Sequence, residues 1–572
     1  MKLKNWIYLN QSLNKDTVAA VSKQYGLNPL ISTLLLNRGI QSDKQIKSYI
    51  SKSIKHIHHP MGLKDMDKAV EIIKKHIDEK NKITIYGDYD VDGITSTTLM
   101  YMFLTELGAD VDYYIPDRFD EGYGMNIPAV NKLIKAGTKL IITVDCGITA
   151  VAETSFAKLK NVDVVITDHH TCKEKLPDAD AVINPKQPDC EYPFKELAGV
   201  GVAFKVVLAL ALAYGLKASD YFNKYCELVT IGTIADVVPL LDENRIITDK
   251  GLALLKNTSF RGIKALLEIS GLSEDITSTS ISFAVAPRIN AAGRMNSASI
   301  AVKLLLSQDD SEAYLLAKEL NDLNVKRQNT ELKIYHEALD MIAADPDFEK
   351  NKIIVLCNKD WHDGVIGIVA SKICELYYRP CILITYDNNF TAKGSGRSIE
   401  GFNLFEALSE CSSVLSNFGG HAVAAGLSLK PDDVDTFRTE INNYAKTHLT
   451  EDKLSATIRV DSKIAPEYVT EKNTEILSKL EPFGVGNPKP VFSMSNLIIT
   501  SISQMGADNK HMRARFKYNN IYFNAVGFGM GQYYDYFRTG DTVEAAFTMD
   551  INYFAGTQSL QLILKDIRFC KD

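Results

Sequence analysis

The chain has 572 residues, and at roughly 100 to 200 residues per domain this length predicts three or four domains. Hydrophobic residues make up 45% and charged residues 24% of the sequence, which excludes wholesale disorder and fibrous repeats. The net charge of -7 excludes a polycation that coats nucleic acid, so any nucleic-acid site must be a local patch.

Cysteine usage and hydropathy indicate the compartment. The nine cysteines are scattered without a CxxC pair, which predicts reduced thiols and neither a disulfide framework nor a zinc site. The amino terminus has no apolar run of the signal-peptide type, and no uninterrupted apolar span of about 20 residues occurs that could cross a bilayer. We therefore predict a cytoplasmic protein with no membrane association.

From about Met66 to Pro185, apolar strands alternate with amphipathic helices such as the run at 94–107. This alternation predicts an α/β fold whose mostly parallel sheet is covered on both faces. Ligands of such sheets bind outside the carboxyl ends of the strands. The predicted strands end in charged residues at that edge, and they are KITIYGD (82–88), DVDYYIPD (110–117), KLIITVDCG (139–147) and DVVITDHH (163–170).

Three further regions follow along the chain. A largely helical stretch from Leu197 to about Gly271 precedes a long helix at 307–346, which is either a buried core helix or, as its length favours, an exposed bridge between two domains. The strand KIIVLCN (352–358) opens a second α/β unit. From Ser455 onward, short β-type runs that begin with TIRVDS predict a small barrel of the oligonucleotide-binding type. The apolar residues expected to line the long helix are Leu316, Leu320, Leu323, Leu332, Tyr335, Leu339 and Ile342.

Three aspartates alternate in YGDYDVDG: Asp88, Asp90 and Asp92. Alternation in an extended segment directs their side chains to one face, where the carboxylates repel one another unless a cation neutralises them. Oxygen ligands of this kind favour Mg²⁺ or Mn²⁺. A solvated loop is the alternative for this run alone. An EF-hand is disfavoured because the twelfth position from Asp88 is Leu99, where a calcium loop needs Glu.

The same chemistry recurs at the ends of later elements. Asp145 ends a predicted core strand, and Asp168, His169 and His170 end another. Asp236 stands among apolar residues in GTIADVVPL, where an unpaired carboxylate would be costly. Taken singly, Asp145 could belong to a strand-end turn, the two histidines could be a structural pair, and Asp236 could cap a helix. Because the carboxyl ends of parallel strands meet at one edge, we expect them to converge and to hold two adjacent cations.

Two cations about 3.5 to 4 Å apart suit phosphoryl chemistry, since together they stabilise the attacking and leaving oxygens of an in-line displacement. We therefore predict metal-assisted hydrolysis of a phosphate ester. An NTPase is disfavoured because no GxxxxGKS/T loop occurs, and a serine hydrolase because no GxSxG elbow occurs.

The ordered set GDYDVDG, VDCG, TDHH and GTIADVVPL resembles the DHH phosphoesterase superfamily. Later segments narrow the resemblance to the RecJ family of single-strand-specific DNA exonucleases. These segments are PDRFDEGYG (116–124), RINAAGRM (288–295), WHDGVIGIVASK (361–372), GSGRS (394–398), FGGHAVAAG (418–426) and EPFGVGNPKPVF (481–492). The resemblance covers nearly the whole chain. It implies digestion of single-stranded DNA from a 5' end to 5'-mononucleotides, in DNA recombination and repair.

By resemblance, the fold comprises a DHH catalytic domain with an amino-terminal extension (1–306), a long connecting helix (307–346), a DHHA1 domain (347–450) and an OB-fold single-strand-binding barrel (455–572). The resemblance implies two Mn²⁺ or Mg²⁺ ions. Their implied ligands are Asp88, Asp90, Asp92, Asp145, His169 and Asp236. Asp168 would orient an imidazole, and His170 would face the scissile phosphate as an acid or electrostatic stabiliser.

Four residues resemble the family's contacts to a terminal 5'-phosphate: Arg118, Arg288, Ser395 and Arg397. A guanidinium suits this task because its planar fork of donors fits phosphate oxygens. The glycines of GSGRS allow close backbone approach. Surface ion pairs are the alternative for the first two arginines. His421, in a Gly-Gly-His turn, is either another phosphate contact or a satisfied loop histidine.

A basic strand is predicted in the last region. Basic and apolar residues alternate in HMRARFKY (511–518), which predicts one basic and one apolar face. The basic residues are Arg513, Arg515 and Lys517, and a hairpin turn is expected at 519–520. A solvated face is the alternative to a surface that follows a phosphate backbone and stacks bases, which the resemblance favours.

Two rival functions are weighed against the exonuclease. Another DHH phosphoesterase would act on short oligoribonucleotides, 3'-phosphoadenosine phosphate or cyclic dinucleotides, but the predicted barrel and long helix disfavour it. A non-catalytic single-strand-binding scaffold of the same fold is disfavoured by the intact metal motifs. The resemblance implies single-stranded DNA as a partner, raises a RecQ-type helicase and a single-strand-binding protein as further partners, and implies a monomer.

Overall fold

The computed structural model describes residues 4–118, 121–273, 275–295, 297–386, 391–554 and 557–570. Phe119 and Asp120 of the PDRFDEGYG segment lie outside these ranges. The strands, numbered in chain order, are β1 (Asn5–Tyr8), β2 (Ile83–Tyr86), β3 (Val111–Tyr114), β4 (Leu140–Val144), β5 (Asp163–Thr167), β6 (Ala181–Ile183), β7 (Ile354–Cys357), β8 (Cys381–Tyr386), β9 (Ala392–Arg397), β10 (Asn417–Gly420), β11 (Ala424–Leu429), β12 (Thr457–Val460), β13 (Ser462–Lys463), β14 (Phe492–Met505), β15 (His511–Tyr518), β16 (Ile521–Gly527), β17 (Thr542–Phe554) and β18 (Thr557–Phe569).

Helices connect most of these strands. The α-helices are Lys15–Tyr25, Pro29–Asn37, Asp43–Ser51, Met66–Asp78, Val91–Glu106, Ile127–Lys135, Val151–Leu159, Gly199–Ala213, Ala218–Ala235, Asp242–Leu255, Arg261–Ile269, Ser278–Ser280, Ala286–Met295, Ser299–Leu306, Asp310–Ala344, Asp363–Tyr377, Leu404–Glu410, Val434–His448 and Glu471–Ser478. A π-helix, Ile281–Val285, leads directly into Ala286–Met295. No helix of the described ranges combines the length and apolar character needed to span a membrane.

The chain folds into two compact units. The first unit is Arg38–Val325 together with Lys479–Lys489. The second unit is Met1–Asn37, Lys326–Ser478 and Pro490–Asp572.

A five-stranded parallel sheet organises the first unit, with the strand order β3-β2-β4-β5-β6. Side chains alternate between two cores, as period-two strands require. Ile83, Ile85 and Ile142 point into one buried cluster, whereas Ile141 and Ile166 point into the other. The predicted parallel sheet with two covered faces is therefore confirmed, and the four predicted strands form β2 to β5.

The second unit contains a mixed sheet and a barrel. The mixed sheet has the order β10-β11-β9-β8-β7, and its β7 and β8 are parallel. The barrel closes because β14 pairs with β15 on one side and with β17 on the other, through β16 and β18. The expectation that TIRVDS starts the barrel is wrong for β12, which pairs with β1 in a separate parallel ribbon. The OB-type barrel itself is confirmed.

The long helix Asp310–Ala344 extends for about 50 Å at 1.5 Å per residue. Its amino-terminal half contributes Ala313, Ala317 and Leu320 to the core of the first unit. In its carboxyl-terminal half, the Glu337 carboxylate accepts a hydrogen bond of 2.8 Å from the Trp361 indole in the second unit. The expected apolar stripe is only partly correct, because Leu332 is 51% exposed.

Candidate metal centre

The acidic residues follow three neighbouring strands of the parallel sheet. Asp88 comes two residues after β2, Asp145 directly follows β4, and Asp168 and His169 directly follow β5. Since β2, β4 and β5 are adjacent and parallel, their carboxyl ends bring these side chains to one edge. Asp145 has a left-handed backbone with a φ of 59°, a conformation that Asp and Asn tolerate better than most residues.

The structure brings the six predicted ligands together in three overlapping groups. One group is Asp92, His169 and Asp236, and a second is Asp88, Asp90 and Asp145. Asp145 and His169 form the third with His170. Within each group, one ligand atom per residue lies within 4.8 Å of the others. Asp145 and His169 each belong to two of these groups, so the three groups adjoin one another.

His169 lies against three of the carboxylates. Its Nε2 atom is 3.3 Å from Asp145 Oδ1, 3.5 Å from Asp236 Oδ2 and 3.9 Å from Asp92 Oδ2. Asp236 reaches this position from the carboxyl-terminal cap of the helix Ala218–Ala235, not from a strand.

Asp92 is fixed by the amino terminus of the helix Gly199–Ala213. The amide of Gly199 donates to its Oδ2 at 2.6 Å, and the amide of Val200 donates to its Oδ1 at 2.7 Å. A helix amino terminus stabilises a negative charge in this way. A side chain at Gly199 would not fit, since an added Cβ would lie 2.4 Å from Asp145 Oδ1.

The electrostatics of the cluster favour a bound cation. Burial and the charge of Asp90 raise the pKa of Asp92 to about 7. Burial and the charges of Asp92 and Asp90 raise the pKa of Asp236 to about 9. Burial also raises the pKa values of Asp88 and Asp145 well above the usual range, with neighbouring carboxylates adding to the effect. The charged forms therefore need a compensating positive charge.

Unpaired buried atoms show that these residues fit divalent ions. Asp88 Oδ1, Asp145 Oδ1, Asp236 Oδ2 and His169 Nε2 are buried and have no hydrogen-bond partner among the described residues. Buried polar atoms are normally paired, so a group of unpaired ones calls for an explanation. Carboxylate oxygens with an imidazole are donors that Mn²⁺ and Mg²⁺ accept. The donor set therefore fits the predicted pair of cations.

Asp168 and His170 form a hydrogen-bonded pair beside the candidate metal ligands. Asp168 Oδ1 accepts from His170 Nδ1 at 2.7 Å and from the backbone amides of His169 and His170, and Asp168 Oδ2 accepts from the amide of Ile148 at 2.9 Å. Although burial raises the pKa of Asp168, these hydrogen bonds and the charge of His170 lower it overall. The Tyr123 hydroxyl lies 3.3 Å from both ring nitrogens of His170.

The two adjacent histidines have opposite electrostatic environments. Burial, together with the charge of His170, lowers the pKa of His169 to about 3. Burial also lowers the pKa of His170, but the hydrogen bond and charge of Asp168 raise it overall. His169 is therefore neutral, as a metal ligand must be, whereas the environment of His170 favours a proton.

Two of the predicted phosphate-binding arginines lie in the first unit. The Arg118 guanidinium stands over the Tyr89 ring at 5.2 Å, and its charge acts on Asp88. Arg288 is held by Asn321 Oδ1, which accepts from Nε at 3.1 Å, and by the carbonyl of Ala284 in the π-helix. Neither arginine forms an ion pair among the described residues that would support the surface-pair alternative.

The helix that contains Arg288 packs on the YGDYDVDG loop. Asn290 Oδ1 accepts a hydrogen bond of 3.3 Å from the amide of Val91. Gly293 lies so close to the loop that an added Cβ would be 2.6 Å from the carbonyl oxygen of Tyr89. The RINAAGRM segment thus supports the loop that contains Asp90 and Asp92.

Ser395, Arg397 and His421 lie in the second unit. Ser395 and Arg397 share one face of β9, and Arg397 Nη1 donates to Ser395 Oγ at 3.1 Å. Gly367 adjoins both side chains, since an added Cβ would be 2.8 Å from Ser395 Oγ. Ala424 pairs with Arg397 across the neighbouring strand, which places the exposed His421 turn beside it.

The barrel presents the predicted basic face. Arg513 and Arg515 on β15 are exposed, whereas Ala514 and Phe516 are buried, so the predicted alternation is confirmed. The Arg515 guanidinium lies 4.7 Å and Lys517 Nζ lies 5.8 Å from the centre of the Tyr522 ring. The hairpin turn at 519–520 is also confirmed, because Tyr518 pairs with Ile521.

Sequence reasoning missed several residues of the site. Tyr123, Gly199 and Asn290 were not singled out, although each contacts a predicted site residue or its loop. Tyr123 and Asn290 lie inside segments quoted for the family resemblance, which was the available signal. Gly199 had no signal beyond its place at the start of an apolar helix.

Comparison with known proteins agrees with this geometry. The chain matches the DHH family, N-terminal domain, at residues 82–233, the DHHA1 domain at 350–447 and the RecJ OB domain at 460–566. The single-stranded-DNA-specific exonuclease RecJ of Bacillus subtilis is 40% identical over 558 residues, which cover 97% of this chain and 70% of that relative. The RecJ of Haemophilus influenzae is 35% identical over 554 residues, which cover 94% of this chain and 96% of that relative.

A solved structure shows the same architecture. The crystal structure of RecJ from Thermus thermophilus in complex with Mn²⁺ matches with a TM-score of 0.84 and 29% sequence identity. The match covers 99% of this chain and 80% of that one. With its acidic cluster, its three matched domains and relatives that are 40% and 35% identical over nearly the whole of this chain, the chain belongs to the RecJ family of single-stranded-DNA-specific exonucleases.

Proposed function

We propose that this protein is a Mn²⁺- or Mg²⁺-dependent exonuclease that hydrolyses single-stranded DNA from the 5' end to 5'-mononucleotides, in DNA recombination and repair. The observation that carries the proposal is the convergence of Asp92, His169 and Asp236 with Asp88, Asp90 and Asp145 in two adjoining donor groups. The relatives named as RecJ exonucleases and the Mn²⁺ complex of the matched structure support the same reading.

The residues of the chain divide the work of hydrolysis. The bound cations would polarise the scissile phosphodiester and supply a nucleophile at neutral pH. Asp168 accepts from His170 Nδ1 and so directs Nε2 away from itself. His170 would then donate a proton to the leaving oxygen or stabilise its charge. Tyr123, whose hydroxyl is beside Nε2, would help to orient that ring.

A separate group of three arginines, a serine and a histidine would recognise the 5' end. We propose that Arg118, Arg288, Ser395, Arg397 and His421 contact the terminal 5'-phosphate. Asn321 and the Ala284 carbonyl engage Nε and Nη1 of Arg288 and so restrict its rotation. A guanidinium with a fixed orientation binds a phosphate at a smaller entropic cost.

The remaining assignments are proposals as well. We propose the functional division 1–306, 307–346, 347–450 and 455–572 for the DHH domain, the connecting helix, the DHHA1 domain and the barrel. Nine free cysteines support a reducing, cytoplasmic compartment. A monomeric state and partnership with a RecQ-type helicase and a single-strand-binding protein are supported by the family resemblance alone.

A substrate panel tests the proposed activity. The purified protein is incubated with Mn²⁺ or with chelator and offered single-stranded DNA labelled at either end, duplex DNA, short RNA and a cyclic dinucleotide. We expect metal-dependent release of a labelled mononucleotide from the 5'-labelled single strand before any release from the 3'-labelled one. Faster turnover of the cyclic dinucleotide or the short RNA would transfer the assignment to another DHH phosphoesterase, and release from the 3' end first would reverse the direction.

The basic strand of the barrel provides a separate prediction. Replacing Arg513 and Arg515 by Ala should weaken single-strand binding and flatten its dependence on salt. At roughly 0.7 counterions per phosphate of a single strand, two lost contacts reduce the slope of log K against log salt by about 1.4. Binding is measured by fluorescence anisotropy over a range of salt, with chelator present. The double variant Lys430→Ala and Lys446→Ala removes the same charge from exposed positions of the same unit, and an equal slope in both variants would contradict the assignment.

A further inference from the structure

The segment Lys479–Lys489 belongs to the first unit, although it is distant in the sequence from the rest of that unit. The chain belongs to the second unit up to Ser478 and again from Pro490, but the eleven residues between them belong to the first unit. They contain most of the EPFGVGNPKP run, which in the sequence analysis supports the family resemblance and has no assigned role. Their contacts within the first unit lead directly to a metal ligand.

Buried polar groups attach this segment to the first unit. The Arg245 guanidinium is 1% exposed, donates to the carbonyl of Leu480 at 2.8 Å and lies 3.8 Å from the Tyr49 ring. Asn487 is fully buried, and its Oδ1 accepts from the Tyr49 hydroxyl at 2.7 Å. These are fixed contacts, because none of the groups could rotate without leaving a buried polar atom unpaired.

Residues 484–486 of the segment pack against the turn that follows Asp236. Val485 O accepts a hydrogen bond of 2.8 Å from the amide of Leu240. Gly486, with a φ of 70°, lies against Pro239, and an added Cβ would be 3.0 Å from the Pro239 ring. Gly484 lies against Leu240 in the same way, with an added Cβ 2.7 Å from its side chain.

The backbone of this turn is strained at Val237, the residue that follows Asp236. Val237 has a φ of 63°, a left-handed conformation that is an outlier for a β-branched residue. Its side chain is 60% exposed, so burial of the side chain does not account for the conformation. Strained backbone persists only where the surroundings hold it. A change of φ at Val237 would turn the Asp236–Val237 peptide relative to Val238 and Pro239, and would thereby shift the helix cap from which the Asp236 carboxylate extends.

We propose that the 479–489 segment is a positioning element for the metal ligand Asp236: by holding Pro239 and Leu240 it maintains the strained Val237 and thereby sets the cation affinity of the Asp92, His169 and Asp236 group. This inference rests on the proposed function, since it concerns the same metal centre. It assigns to a segment from the carboxyl-terminal part of the chain a role in a site otherwise built from residues 88–236.

The test compares two glycines that have the same positive φ. Gly486→Ala places a methyl group against Pro239, whereas Gly271→Ala, at the same φ of 70° in the same unit, meets nothing within 4 Å. Mn²⁺ binding to the full-length protein is titrated by calorimetry and by the electron paramagnetic resonance signal of free Mn²⁺. We expect one of the two Mn²⁺ affinities to fall at least about tenfold in Gly486→Ala, as for other residues that orient metal ligands, and neither to change in Gly271→Ala.

A rescue separates positioning from loss of folding. Adding Val237→Gly to Gly486→Ala removes the strain that the segment has to hold, because Gly adopts a positive φ freely, and should restore the lost affinity. Tyr49→Phe removes the hydroxyl contacts to Asn487 Oδ1 and the Leu480 carbonyl, together with the hydrogen bond accepted from Arg38. Because the ring stays in place, this variant is milder and should lower the same affinity by a smaller factor. Equal Mn²⁺ affinities in wild type, Gly486→Ala and Tyr49→Phe, or no recovery on adding Val237→Gly, would overturn the proposal. If the wild-type protein itself bound no Mn²⁺, the proposed function would fail instead.

Discussion

Replacement of Asp145 by Asn is expected to abolish turnover of single-stranded DNA while DNA binding in chelator is retained. Asp145 belongs to two of the three ligand groups, and its buried Oδ1 atom has no hydrogen-bond partner among the described residues. Asn preserves the shape and tolerates the φ of 59° at this position, so the substitution removes the charge without straining the backbone. Loss of a bound cation removes several kcal/mol of transition-state stabilisation, so we expect kcat/KM to fall by about 10³-fold or more.

Stability and binding measurements show whether that loss is specific. Burial and the neighbouring carboxylates raise the pKa of Asp145, which means that its charged form opposes folding when no cation is bound. Asp145→Asn should therefore melt at no lower temperature than wild type in chelator, and it should lose the stabilisation that Mn²⁺ gives to wild type. Asp112→Asn, at an exposed carboxylate of β3, is the control and should retain full activity. Wild-type turnover in Asp145→Asn would exclude the proposed metal centre.

The part of this site that follows from local sequence is the part built on strands. Asp88, Asp145 and Asp168 each follow a strand whose apolar residues are evident in the sequence, and the parallel arrangement then requires their side chains to meet at one edge. The basic face of β15 was equally accessible, because alternation along a strand decides which side chains share a face.

Other features depend on contacts between distant residues. Asp236 caps a helix, so its approach to His169 is decided by how that helix packs, which no local pattern reveals. The partner of β12 is β1, some 450 residues away in the sequence, and the apolar character of TIRVDS cannot identify it. In the long helix Asp310–Ala344, Leu332 is exposed while Glu331 is buried in an ion pair with Lys372, which lies on another helix. Which face of such a helix is buried is set by its partners.

The packing of the 479–489 segment against the turn after Asp236 also depends on contacts between residues that are distant in the sequence. EPFGVGNPKP has the proline and glycine content of a loop, and the sequence predicted no role for it beyond the resemblance. Its function in the fold becomes visible only when Val485 and Gly486 are found against Leu240 and Pro239. A loop that is remote in sequence thus contacts the turn that follows a predicted metal ligand.

The adjacent histidines His169 and His170 are both expected to lose activity when replaced by Asn, but only His169→Asn should lose Mn²⁺ affinity. His170→Asn retains a side-chain donor for Asp168 but removes the Nε2 atom that lies beside Tyr123. The loss of a general acid or a charge-stabilising group should lower kcat by about 10²- to 10⁴-fold, with Mn²⁺ affinity retained. His169→Asn removes the Nε2 atom that lies 3.3 Å from Asp145 and 3.5 Å from Asp236, so Mn²⁺ binding should weaken and activity should fall with it.

The comparison separates the two roles because the residues are adjacent in the sequence, whereas the His169 side chain is buried and the His170 side chain is partly exposed. Single-turnover rates at saturating Mn²⁺ report the chemical step, and direct Mn²⁺ titration reports the ligand role. High Mn²⁺ should recover part of the activity of His169→Asn and none of that of His170→Asn. Since His170 also belongs to a possible ligand group with Asp145 and His169, a loss of Mn²⁺ affinity in His170→Asn would reassign it from proton transfer to metal binding.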